Sequence, residues 1–184
     1  LISNTLDFGK FIIQDMTDYM KQTVQVWEQL GFETDCICTG FLVSREQAEF
    51  LKELIEEKKR KKDCLVLVDP IMGDGGRLYN GVGKERVEAM RQLVAVADVM
   101  VPNITEAALL TGMLEADGTA AEEGTSTEIR ALLDGLHAIS GKSVVITSVV
   151  ERGTNRHLVC GYDHRQEEYF EVEYEYLPIR VAGS

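Results

Sequence analysis

Positive charge is scarce in this chain: 19 Lys and Arg stand against 31 Asp and Glu, a formal net charge of −12. That balance argues against a nucleic-acid backbone or an anionic membrane surface as the main partner. A small anionic ligand remains admissible, because local backbone amides and one bound cation suffice to hold it. Long apolar runs are also lacking, and the amino end Leu1-Ile2-Ser3-Asn4 carries no basic segment of the signal-peptide type. The expectation is a cytoplasmic protein without a membrane span. Cys36, Cys38, Cys64 and Cys160 show no zinc-ribbon spacing and lie in or beside apolar runs. Buried reduced thiols are the expectation there, with a metal or redox site on Cys36 and Cys38 as the alternative. His137, His157 and His164 fall away from the carboxyl ends of the strands predicted below, and are read as structural or solvated. No Ser-His-Asp order, Walker A sequence or complete G-x-G-x-x-G fingerprint occurs, so P-loop and dinucleotide folds lose ground.

What is present is a regular alternation of short apolar runs and amphipathic stretches. With 184 residues, 45% of them hydrophobic, the chain suits a single domain over 1–184. Residues 15–30 carry Met16, Tyr19, Met20, Val26, Trp27 and Leu30 near one helical stripe, with Gly31 just beyond, which predicts a helix facing a core. Residues 35–39, 64–68, 98–101 and 143–149 read as strands, the second and fourth as buried ones. Helices are predicted over 45–61, capped by Ser44, over 84–96, over 105–111, closed by Gly112, and over 127–139, capped by Thr125 or Ser126. The run Lys58-Lys59-Arg60-Lys61-Lys62 fits a helix C-terminus favoured by its dipole. Residues 156–162 and 167–174 alternate around Asp163-His164-Arg165-Gln166, the pattern of an antiparallel hairpin. Strand–helix–strand order predicts an α/β fold, a doubly wound, mainly parallel sheet with helices on both faces and that hairpin towards the C-terminal end. The chain lacks an initiating Met and stops at Arg180-Val181-Ala182-Gly183-Ser184, so the domain is expected to be incomplete at both termini.

In such a sheet ligands bind outside the carboxyl ends of the strands. Gly40, Asp69, Asn103 with Glu106, and Thr147 with Ser148 each follow one of four successive predicted parallel strands. Asp69-Pro70-Ile71-Met72-Gly73-Asp74 is the most telling of these segments, since Gly73, Gly75 and Gly76 let backbone amides approach a ligand closely. Asp69 and Asp74, joined by Glu106 and Asn103, form an oxygen-rich set without histidine, which favours magnesium over zinc. Each residue has a local reading too. Asp74 with Gly75 suits a tight turn, Asn103 with Glu106 suits a capping box, and Thr147 with Ser148 suits the close of a strand. Their common place at one rim is what favours a nucleotide phosphate and its metal.

The segments DPIMGDGGRLYNG, VPNITEAALLTG and VVITS, in that order, resemble the pyridoxal/pyridoxamine kinases of the ribokinase-like superfamily. TDCICTGFLVSREQAEFL before them and the hairpin after them extend the likeness across nearly the whole chain. The resemblance implies transfer of the γ-phosphoryl group of ATP to the 5′-hydroxymethyl group of a B6 vitamer, with ATP and magnesium as cofactors and a monovalent cation as a further candidate. It implies ATP or phosphate contacts for Asp69, Asp74, Asn103, Glu106, Thr147, Ser148 and Gly183. Metal contacts fall to Asp69 and Glu106, and substrate-side places to Leu6, Phe41 and Tyr79. The family's general base, the aspartate of a G-T-G-D-type motif, is expected beyond Ser184, so these 184 residues are expected to be inactive by themselves. Homodimers are the family's common assembly. Two departures bear on the substrate: Thr5 and Leu6 stand where the family's S-x-H-T-G-F-G loop has His and Thr, and Phe41 where many members have Tyr. A hydroxymethylpyrimidine or sugar kinase, or a non-catalytic nucleotide- or vitamer-binding paralogue, are the alternatives.

Overall fold

The computed structural model describes residues 10, 12–114, 123–154 and 156–177. Its contacts divide the chain into two units, 1–33 with 176–184, and 34–175. In the smaller unit, helix α1 spans Thr17–Gln29, entered through a hydrogen bond from the Thr17 amide N–H to the Asp15 carboxylate (2.8 Å). Its expected core-facing stripe is open instead: Tyr19 and Leu30 are 64% and 63% exposed.

The larger unit holds, in chain order, β1 (Cys36–Thr39), α2 (Arg45–Lys61), β2 (Leu65–Val68), β3 (Gly73–Asp74), β4 (Arg77–Leu78), α3 (Lys84–Val94) and β5 (Val99–Met100). Then follow α4 (Ile104–Thr111), β6 (Glu123–Gly124), α5 (Ser126–Ser140), β7 (Ser143–Glu151), β8 (His157–Asp163) and β9 (Glu168–Glu173). Local chemistry sets the boundaries. Ser44 Oγ accepts the Gln47 amide at the start of α2, and Asn103 and Thr125 each close a reciprocal capping box with a glutamate three residues on. Gly112 and Gly141, both left-handed, end α4 and α5. The basic run at the end of α2 is largely paired: Lys59 meets Asp98, Lys61 meets Glu57 and Lys62 meets Asp35.

The main sheet has the order β1-β2-β5-β7-β8-β9, with β6 added beside β7. Pairs β1–β2, β2–β5 and β5–β7 are parallel, while β7–β8 and β8–β9 are antiparallel. A mainly parallel sheet with an antiparallel hairpin towards the C-terminal end is therefore what residues 34–175 build. Each parallel crossover advances in the same direction along the sheet, and right-handed crossovers then place α2, α3, α4 and α5 on a single face. Strand alternation agrees: Val66, Val68, Met100, Val144, Ile146, Leu158 and Cys160 are buried with Ile55, Met90, Leu93, Leu109 and Leu136 of the helices in one core. Leu65, on the other face, is 46% exposed.

Two elements and one burial pattern differ from expectation. The glycine segment after β2 closes a separate two-stranded hairpin, β3–β4, with Gly73 opposite Leu78. β6 lies between the helices predicted over 105–111 and 127–139, where no strand is predicted. Cys64 and Cys160 are buried as expected, whereas Cys36 and Cys38 are exposed, because alternation carries them to the face opposite the buried side chains of β1 and β2. No helix among the described residues is long and apolar enough to cross a membrane.

Candidate active site

Three segments meet where β2 and β5 run out beside the middle of β7. Val101 N bonds Val68 O (3.0 Å), Thr147 N bonds Pro102 O (2.9 Å), and Asn103 forms an isolated parallel bridge with Thr147. These backbone links hold Asp69, Asn103 and Thr147 at one rim, as the strand order requires. Asp69 N in turn bonds Thr39 O (3.2 Å), which ties the same rim to the end of β1.

The turn that begins α4 pins the loop that follows β2. Glu106 is 3% exposed. One of its carboxylate oxygens, Oε1, accepts the Met72 amide (3.0 Å) and the other, Oε2, the Asn103 amide (2.9 Å). Asn103 Oδ1 accepts the Glu106 amide (2.9 Å), and Asn103 Nδ2 donates to Gly73 O (2.8 Å). Thr105 Oγ1, also buried, accepts the Gly76 amide (2.9 Å). Three residues of one helix entrance thus fix three backbone groups of the glycine segment. Within that segment Gly75 and Gly76 have φ of 61° and 74°, the two positive angles of a type I′ hairpin turn. Gly73 admits no side chain, since an added Cβ would stand 2.6 Å from Arg77 O.

The electrostatics follow from burial. Burial pushes the Asp69 carboxyl above its usual range. It pushes Glu106 up to about 7, the charge of Asp69 adding to the rise and the amides of Asn103 and Met72 opposing it. The Tyr79 phenol is raised first by burial and then by the charges of Asp74, Glu106 and Asp69. Three carboxylates therefore act on one phenol. No ion pair among the described residues neutralises Asp69 or Glu106. Two partly or wholly buried acids without a base form a site of negative potential, one that a cation relieves. Among the described residues no group of three His, Cys, Asp or Glu side chains stands ready to hold a metal. Asp69 and Glu106 offer oxygen donors only, the ligand type that hard divalent cations take.

The expected residues fare as follows. Asp69, Asp74, Asn103, Glu106 and Tyr79 come together, and Thr147 joins them through Asn103. Ser148 does not close a strand: β7 runs on to Glu151, and Ser148 occupies a bulge with φ of 55°, its side chain exposed. Phe41 is half-buried at the end of β1, and no hydrogen bond or ring contact among the described residues ties it to the acids. Leu6 and Gly183 lie outside the described residues. The histidines stay away from the rim, His137 against Lys142 O and His164 against Ser143 Oγ (both 2.8 Å).

Two positioning side chains escaped the sequence reading. Thr105 is one. Arg86 is the other: from the first turn of α3 it donates to Leu42 O (2.5 Å) and Val43 O (2.6 Å), fixing the segment next to Phe41. The only sequence signal for either was position, Thr105 within the V-P-N-I-T-E run and Arg86 just after Gly83.

Comparison with known proteins adds a family. A family profile described as phosphomethylpyrimidine kinase matches residues 4–181. Pyridoxal kinase of Sus scrofa is 35% identical over 120 residues, which is 62% of this chain and 34% of that protein. A Bacteroides thetaiotaomicron protein, provisionally described as a phosphomethylpyrimidine kinase and crystallised with pyridoxal, superposes with a TM-score of 0.84 at 32% identity, covering 96% of this chain and 60% of the other. Pyridoxal kinase of Leishmania donovani in complex with ADP and pyridoxamine gives a TM-score of 0.72 at 25% identity, covering 94% and 59%. The chain thus spans about a third of the length of the pig kinase and about three fifths of the two solved proteins.

Proposed function

The chain belongs to the phosphomethylpyrimidine kinase family, and from that premise we propose that the protein transfers the γ-phosphoryl group of ATP to the 5′-hydroxymethyl group of pyridoxal, pyridoxamine or pyridoxine. The observation that carries this reading is the meeting of Asp69, Asp74 and Glu106 around Tyr79 at a rim whose loop is pinned by Asn103 and Thr105. Phosphoryl transfer asks chiefly for positioning and for neutralisation of charge. A pinned loop and uncompensated acids supply both once a cation is present.

In this reading Asp69 and Glu106 hold magnesium, directly or through water, and the ion screens the phosphates when bound. Asp74, Asn103, Thr147, Ser148 and Gly183 serve the phosphates. Tyr79 covers the reacting groups, and Leu6 and Phe41 border the vitamer. The proton of the attacking alcohol goes to an aspartate expected after Ser184. A monovalent cation, a homodimer and a cytoplasmic setting complete the proposal.

The test is a coupled assay for ADP release by the protein expressed from its whole reading frame. Pyridoxal, pyridoxamine, pyridoxine and hydroxymethylpyrimidine are offered in turn. Magnesium-dependent turnover with a B6 vitamer is the expected result. Preference for hydroxymethylpyrimidine would move the assignment to the sister kinase, for which the family's own description speaks. Nucleotide binding with no turnover on any alcohol would mark a non-catalytic paralogue.

A further inference from the structure

β1 stands at one end of the sheet order, and Cys36 and Cys38 lie two residues apart on it. Alternation puts both on the face that α2–α5 leave uncovered, with Leu65 and Leu67 as their register partners on β2. Both thiols are exposed, and their Sγ atoms are 3.6 Å apart. We propose that Cys36 and Cys38 form a two-thiolate site for a thiophilic divalent cation of the zinc and cadmium class.

The distance decides between the two chemistries open to such a pair. Two sulfurs bound at ~2.3 Å to one tetrahedral ion lie ~3.8 Å apart, so the observed 3.6 Å needs only a small side-chain adjustment. A disulfide needs an S–S distance of ~2.0 Å and Cβ atoms about 4 Å apart. Same-face Cβ atoms two residues apart on an extended strand are ~6.6 Å apart, so oxidation would buckle β1. Ion capture leaves the strand as it is.

The site is open rather than enclosed. Asp35 is paired with Lys62 at 2.8 Å, Cys64 is buried on the other face, and no three-residue His, Cys, Asp and Glu group occurs among the described residues. Water or a small-molecule thiol therefore fills the remaining positions. Binding forms two S–metal bonds, breaks two S–H bonds and releases two protons to solvent. Because ion binding displaces those two protons, uptake weakens as pH falls. None of the rim residues takes part, and the inference stands apart from the kinase reading.

Cadmium titration of the reduced, metal-free protein tests it, read by the ultraviolet thiolate-to-metal charge-transfer band and by proton release. The expected result is saturation at one ion per chain with two protons released. The band is lost in Cys36→Ser and in Cys38→Ser and kept in Cys64→Ser and Cys160→Ser. Saturation at one ion per two chains, survival of the band in either Cys36→Ser or Cys38→Ser, or no band at all overturns the proposal.

Discussion

Replacing Glu106 by glutamine separates the two things that this carboxylate does, accepting hydrogen bonds and carrying charge. The substituted side chain keeps one acceptor oxygen and turns an amide NH2 towards the other donor. One of the Met72 and Asn103 amides therefore loses its partner in a site only 3% exposed. An orphaned buried amide costs about 1–3 kcal/mol, a loss that is the same at every pH. The charge behaves otherwise. A glutamate at its ordinary 4.5 in the unfolded chain and about 7 in the fold binds more protons folded than unfolded between those values. Stability therefore falls as pH rises through that window and levels off above it. Between pH 5 and 8 the native chain should lose roughly 2–3 kcal/mol from this group, a loss that the uncharged variant cannot show. Urea denaturation followed by far-ultraviolet circular dichroism across that range measures both proteins, and other titrating groups cancel in the difference. Wild type should exceed Glu106→Gln at pH 5, and the gap should shrink by about 2–3 kcal/mol at pH 8. A gap that stays constant refutes the reasoning, since Glu106 would then be ionised throughout.

Two further substitutions address its neighbours. Thr105→Val is nearly isosteric but removes the acceptor of the Gly76 amide. It should cost about 1–3 kcal/mol and speed hydrogen exchange at Gly76, with Thr105→Ser restoring both; unchanged protection at Gly76 would count against the clamp. Asp69→Asn removes a carboxylate that burial disfavours. It should stabilise the fold at neutral pH and not in acid, while the full-length protein loses magnesium-dependent nucleotide binding; a variant that is less stable at pH 7 and still binds contradicts the assignment.

How far the sequence could be read depended on the range of the interaction involved. β2 and β7 were legible because β-branched runs such as Leu65–Val68 report a buried strand locally, and the caps at Ser44, Asn103 and Thr125 because capping acts within three residues. The order of the strands then gave the common rim without any contact being known. Arg86 and Thr105 were not legible. Their partners are backbone groups 43 or 44 and 29 residues away, and a carbonyl or amide leaves no mark in the sequence. Cys36 and Cys38 show a related limit: alternation tells which residues share a face, but not which face the helices cover. β6 was missed because two residues beside a long strand have no period of their own. At Ser148 the apolar run Val149-Val150 continued past the polar pair, and the bulge let β7 carry on beyond the expected end.

The chain also contains its own control for the central ambiguity, whether Glu106 is more than half of a capping box. Thr125 and Glu128 form the same reciprocal box at the start of α5. Glu128 is exposed there, and its carboxyl is held below the usual range by the Thr125 amide and hydroxyl. Capping in solvent thus stabilises the charged form, as an N-terminal carboxylate should. At α4 the same pattern of donors is present, and yet the carboxyl is driven up to about 7 by burial. A cap contributes about 1 kcal/mol, whereas ionising a carboxyl raised that far costs roughly 3 kcal/mol. Capping alone therefore gives no reason to bury Glu106. What burial adds is the second bond, to Met72, and a negative charge beside Asp69 that no base among the described residues offsets. Both serve the loop after β2, the first by fixing its amides and the second by making a cation favourable at its edge.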